Sequence, residues 1–213
     1  MATRDGASAL ATDESKPGLG NLPEWDLNDL YPGSDSPELK GDLERAATAA
    51  TAFETTYKGK LSGLPGRGLG AAVAAYEKLQ DTLGRIMSYA GLVYAGDQSN
   101  SEIGRFFQMM QERVNDISST LLFFTLEINK IEDGVLTEQL KAKELAHYAA
   151  WLRDVRAFRE HQLSDEVEKL LHEKYVAGRA AWTRLFDETS ADLRFPVDGK
   201  DFTSAEALHL DRK

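Results

Sequence analysis

Cysteine is absent from this chain, and with it go disulfides, thiolate metal sites and a cysteine nucleophile. That absence suits a reducing, cytoplasmic setting. No run approaches ~18 consecutive apolar residues, so the sequence offers no membrane-spanning helix. Lysine and arginine form no cluster and the formal net charge is −10. Neither nucleic acid nor an anionic membrane surface is therefore an expected partner. The first twenty residues lack the apolar stretch of a secretory signal. Their Gly, Ser, Thr and Asp content predicts a disordered leader over residues 1–21.

What is present is a helix-forming sequence of 213 residues, 42% hydrophobic and 28% charged, enough for a real core under a solvated surface. Two aromatics, Trp25 and Tyr31, lie between Pro23 and Pro32 and are expected to pin an irregular segment onto the body. Ser36-Pro37 supplies an N-cap and a first-turn proline for a helix to about Lys58, with Leu39, Leu43, Ala46, Ala50 and Phe53 on one face. A glycine-rich connector is predicted over residues 59–70. A helix over residues 69–95 follows, with Val73, Tyr76, Leu79, Leu83, Ile86, Ala90, Val93 and Tyr94 as its stripe. After a turn capped by Ser99 or Asn100, a third long helix covers residues 101–131. Thr137 is read as the cap of a fourth helix through Leu140, Leu145, Tyr148, Trp151 and Phe158. Ser164 is read as the cap of a last long helix to about Ala191. Asp198-Gly199 between apolar positions predicts a β-hairpin. The fold class is thus mainly α: long antiparallel helices with a short C-terminal β-hairpin.

Chemistry-bearing motifs are sparse. Of four histidines, His172 begins a zinc-peptidase pattern, His172-Glu173-Lys174-Tyr175-Val176, but Val176 stands where a second imidazole must be. His172 is therefore read as a solvated helix-face residue. Two Glu-x-x-His pairs, Glu144 with His147 and Glu206 with His209, permit a di-metal bundle reading if Glu77 and Glu112 join them. There is no G-x-S-x-G elbow, and the glycines of residues 63–70 follow no strand, so no phosphate loop is expected. Phe106, Phe107, Met109 and Met110 read as core, and Glu160-His161 beside Arg159 as a loop histidine near a helix end. Tyr89 and Tyr94 are open to two roles, peptide contact and core packing. No catalytic or metal residue is assigned, and the substrate-binding residues are unknown.

Several blocks taken in order resemble a known family. Trp25-Asp26-Leu27-Asn28-Asp29-Leu30-Tyr31-Pro32, then Leu83-Gly84-Arg85-Ile86-Met87-Ser88-Tyr89-Ala90 and Phe124-Thr125-Leu126-Glu127-Ile128-Asn129 are similar to the oligoendopeptidase F family of thimet-type zinc metallopeptidases. So are Trp151 to Arg156, His161 to Leu171, and Trp182-Thr183-Arg184-Leu185-Phe186-Asp187-Glu188. The resemblance covers residues 22–210 and is to the family's N-terminal helical region. It implies zinc-dependent cleavage of short peptides in a channel between helical halves, with zinc held by H-E-x-x-H and a downstream Glu. Neither occurs here, so the segment binds no zinc itself and is expected to be inactive alone.

The chain ends on a helix start. Thr203 and Glu206 make a capping box, and Ala205, Ala207, Leu208 and Leu210 open an apolar pattern that stops near Lys213. A helix of about two turns cannot stand by itself, since isolated helices need roughly 12–15 residues. The expected organisation is a leader over 1–21, a helical N-terminal domain over 22–192, and a hairpin plus helix start over 193–213 leading to a separate catalytic domain. The partners implied are short peptides and that domain, and the expected function is one wall of the substrate channel. An apolar patch left exposed by the absent domain is a further expectation. The alternative is a stand-alone helical interaction module that grips a partner helix in a groove.

Overall fold

The computed structural model describes residues 25–210. The expected leader therefore lies outside the described residues, as do Leu22, Pro23 and the last three residues.

The body is three long helices joined by short connections, so neighbours run antiparallel: α1 (Pro37–Tyr57), α2 (Gly66–Gly96) and α3 (Ser101–Lys130). Each of the three packs on the other two. Helix α1 starts as its sequence dictates. Ser36 Oγ accepts from the Leu39 amide at 3.3 Å, Pro37 occupies the first turn, and the expected five apolar residues are all buried. Gly59, at φ 75°, ends it in the left-handed conformation a β-carbon disfavours, and its amide donates to Glu127 Oε1 of α3 at 2.6 Å. Asn100 caps α3 by accepting from the Glu102 and Ile103 amides.

Between the three helices sits an aromatic core. Phe124, fully buried, lies 5.0 Å from Phe53 and 4.8 Å from Tyr76 between ring centroids, with Trp151 closing its far side. Offset and edge contacts of this kind add to the area the rings bury. In the N-terminal segment, one aromatic pins the chain and one does not. Tyr31 is buried, meets Tyr89 edge-on at 5.4 Å, lies under the Arg85 guanidinium and donates to Asp42 Oδ2 at 2.7 Å. Trp25 stays 81% exposed.

Three expectations are corrected. Helix α2 begins at Gly66, inside the stretch read as a connector, because Pro65 serves as N-cap and the glycines are contact residues. A β-carbon on Gly66 would stand 2.0 Å from the Gln139 carbonyl oxygen, and one on Gly70 2.8 Å from the Glu144 carbonyl carbon. Second, the helix expected to start at Thr137 is three short ones: α4 (Asp133–Gln139), α5 (Lys143–Ala146) and α6 (Ala149–Arg156). Thr137 lies inside α4, its hydroxyl donating back to the Asp133 carbonyl at 2.7 Å. The breaks let this segment follow the surface of α2, and Gln139 Nε2 donates to the Leu61 and Leu64 carbonyls in the connection before it. Third, the last long helix is interrupted. Helix α7 (Asp165–Lys174) and helix α8 (Ala181–Asp192) are separated by a π turn, Val176–Ala180. There Gly178 leaves helical geometry and the Ala180 amide reaches back five residues to the Tyr175 carbonyl. Glycine, the weakest helix former after proline, is where such a break costs least.

The hairpin is as expected. Strands β1 (Phe195–Val197) and β2 (Lys200–Phe202) pair antiparallel across Asp198 and Gly199, both at positive φ. Thr203 and Glu206 then cap helix α9 (Ser204–Leu210) reciprocally.

Candidate functional site

The core cluster draws on residues from Tyr31 to Leu152 and takes nothing from α7, α8, the hairpin or α9. Beyond Leu152, Ala180 is the sole buried residue among those described. Yet this stretch is rich in apolar side chains at helical spacing. On α7, Val167, Leu170 and Leu171 are exposed. On α8, Trp182, Leu185 and Phe186 stand at i, i+3 and i+4, exposed by 73%, 51% and 70%. That spacing sets three side chains on one face, and an amphipathic helix normally buries such a face. Leu208 and Leu210 of α9 are exposed as well. Exposed apolar side chains are thus concentrated beyond Leu152, with three each on α7 and α8.

This arm is tied to the body at a few polar points. Arg156 Nη1 donates to the Ile128 and Ile131 carbonyls at 2.7 and 2.9 Å, satisfying the C-terminal end of α3, and its other nitrogen pairs with Asp133. Asn129 donates to Gln162 at 2.9 Å, and Lys130 meets Asp165 at 2.6 Å. Arg156 and Arg159 together hold the Asp133 carboxyl below its usual value, the Arg156 hydrogen bond being the main cause. Helix α7 packs on α3, and the π turn touches both.

The residues weighed for chemistry are not brought together. Glu77 accepts from Tyr148 at 2.8 Å and Glu112 from Gln108 at 2.8 Å, while Glu144 faces Arg67 and His147 packs edge-on against Tyr148. Glu206 caps α9 and His209 is exposed on it. Among the described residues no three His, Asp or Glu side chains converge as a metal would require. The side chains of the described residues thus offer no donor set that fits a zinc ion. His161 stands 3.7 Å from Glu160, both largely exposed. Tyr89 and Tyr94 are both buried, and Tyr89 belongs to the main core cluster. Burial, with Glu188 and Asp187 nearby, pushes the Tyr94 hydroxyl above its ordinary value. Phe106 and Phe107 are half-buried, Met110 is buried and Met109 is half exposed. His172 departs from expectation: it is half-buried, and its Nε2 is sheltered with no partner.

Two groups of residues escaped the sequence reading as site residues. The i, i+3, i+4 spacing of Trp182, Leu185 and Phe186 is a signal visible in the sequence, where these residues enter only within a block similar to the family. Gln111, Asn115 and Ser118 of α3 carried no such signal, since polar residues on a helix normally mark its solvated side.

No described helix is long and apolar enough to cross a membrane. Residues 127–195 match a family model described as oligopeptidase F, that of the family's N-terminal domain. The match runs from the end of α3 through α8 to the first residue of β1, about a third of the chain. It bears out the resemblance to the family's N-terminal region over that stretch. No curated protein and no solved structure gives a significant match.

Proposed function

We propose that this chain, which carries the non-catalytic N-terminal region of oligopeptidase F over residues 127–195, is the helical half of a cytoplasmic, zinc-dependent oligoendopeptidase. In this reading α7, α8 and the hairpin seat on a catalytic domain that holds the zinc. The helical body then forms one wall of a channel that admits short, unstructured peptides and excludes folded ones. The observation that carries the reading is the exposed apolar face of Trp182, Leu185 and Phe186, which lies inside the family-matched stretch and has no partner in the body. A contiguous apolar face rimmed by charge marks an interface.

The test mixes the full chain with a separately expressed oligopeptidase F catalytic domain bearing H-E-x-x-H, and reads association by calorimetry and cleavage of a quenched fluorescent hexapeptide. Buried aromatic anchors contribute about 2 kcal/mol or more each. With tenfold per ~1.4 kcal/mol, the double variant Trp182→Lys, Phe186→Lys should weaken association roughly a thousandfold while leaving the chain folded. Absence of association by the unmodified chain, or equal association by the variant, rejects the reading.

A further inference from the structure

Between α2, α3 and α7 lies a cleft of about 490 Å3. Its α3 side presents Gln111, Asn115 and Ser118, spaced four and three residues apart and hence on one helix face. Gln111 to Asn115 is a rise of roughly 6 Å. Groups that face the same way in an extended chain, two residues apart, are separated by roughly 6.6 Å. Carboxamides donate and accept as a peptide group does, so the two are matched in chemistry as well as in spacing. Across the cleft His172 of α7 and Tyr175, the residue that follows α7, close the other side.

Two polar atoms of this lining are unfinished. Gln111 Oε1 and His172 Nε2 are both sheltered from water and have no hydrogen-bond partner. A buried polar atom without a partner is disfavoured, and a partner brought into the cleft relieves it. The remaining lining is apolar, Met87, Val114 and Leu171, and no Asp, Glu, Lys or Arg takes part. With no acidic, lysine or arginine side chain in the lining, main-chain amides and an apolar side chain are the groups that best complement the surface.

We infer that this cleft binds a segment of extended peptide through its main chain, with an apolar side chain set against Met87, Val114 and Leu171. The inference rests on the peptidase reading for the source of the peptide, and adds to the wall a place where substrate is held without regard to its charge. Rotation of the Gln111 and His172 side chains toward the cleft presents the two unpaired atoms to the peptide. Tyr175, about half exposed, covers the rim.

The experiment titrates the full 15N-labelled chain with Ac-Ala-Ala-Leu-Ala-Ala-NH2 and with the same peptide N-methylated at its central amides. Saturable shifts of the Gln111 and Asn115 side-chain amides are expected, with about tenfold weaker binding for the N-methylated peptide. Gln111→Leu and His172→Phe keep the volume and remove the polar atom. Each should weaken the peptide about tenfold while the unfolding midpoint holds or rises. Shifts confined to other surfaces, no saturation, or equal affinity for the N-methylated peptide overturn the inference. Because the N-methyl comparison uses the unmodified protein, it decides the matter even if a variant fails to fold. If docking on the catalytic domain succeeds while the peptide does not bind, this inference alone falls. If the peptide binds while docking fails, the cleft stands and the peptidase reading falls.

Discussion

The same substitution at two points of one helix should have opposite signs. Gly70 and Gly84 both lie in α2, and replacing either by alanine improves helix propensity by about 0.8–1 kcal/mol. At Gly84 the new β-carbon meets nothing within 4 Å, so the full gain is realised. At Gly70 it would stand 2.8 Å from the Glu144 carbonyl carbon and 2.9 Å from the Leu145 amide nitrogen. Those are backbone atoms of α5, well inside the ~3.5–4.0 Å of ordinary contact, so the segment must move as a piece. It is held there by Leu145, which is fully buried. Overpacking of this kind costs about 1–3 kcal/mol, which outweighs the propensity gain. The expected outcome is Gly84→Ala stabilised by about 1 kcal/mol and Gly70→Ala destabilised by up to about 2 kcal/mol. For a chain of this size the difference is a gap of roughly 2–12 °C in Tm, read by scanning calorimetry with urea titration as the check. Gly70→Ala matching or exceeding Gly84→Ala would refute the claim that α5 is pressed against α2.

Two further outcomes follow from polar ties. Burial raises the Asp42 carboxyl, but the Tyr31 hydroxyl, Arg45 and Arg85 outweigh it and leave it below its ordinary value of 3.8. A carboxyl lowered in the fold contributes its full stability above 3.8 and loses it as pH falls through the lowered value. Urea midpoints taken above and about one unit below that pH should therefore fall more for the unmodified chain than for Asp42→Asn; equal falls would exclude the tie. Arg156→Met removes the donor to the Ile128 and Ile131 carbonyls. It should cost about 1.5–3 kcal/mol in urea unfolding, the range for hydrogen bonds from a charged group, and no measurable cost would count against that cap.

The three long helices were legible because each carries its own local signals. Ser36-Pro37 and Asn100 start two of them, and the 3.6-residue stripes name most of the core residues in advance. What was not legible depends on neighbours. Thr137 has the chemistry of an N-cap, but the chain around it breaks to fit α2, so tertiary contact overrides the local preference. Gly66 and Gly70 look like loop residues until the backbone of α4 and α5 is placed against them. Gly178 is a weak point in any helix, but the extra residue that makes the π turn emerges only where α7 leaves α3. For the candidate site the limit is sharper. Trp182, Leu185 and Phe186 share a spacing that a buried helix face would also show, and nothing in that pattern tells a buried face from the exposed one observed. The cleft depends on α2, α3 and α7 meeting, a juxtaposition no local pattern encodes.

The division at Leu152 also sets how the molecule responds to stress. Before it, side chains interlock, so amides there are released only when the whole bundle opens. After it, Ala180 is the sole buried residue among those described, so amides of α7 and α8 are expected to exchange before those of the bundle. The sparsely buried α7 and α8 lie within the family-matched residues, which begin on the core side at Glu127. Change at the exposed surface of these two helices is expected to leave the aromatic core around Phe124 undisturbed.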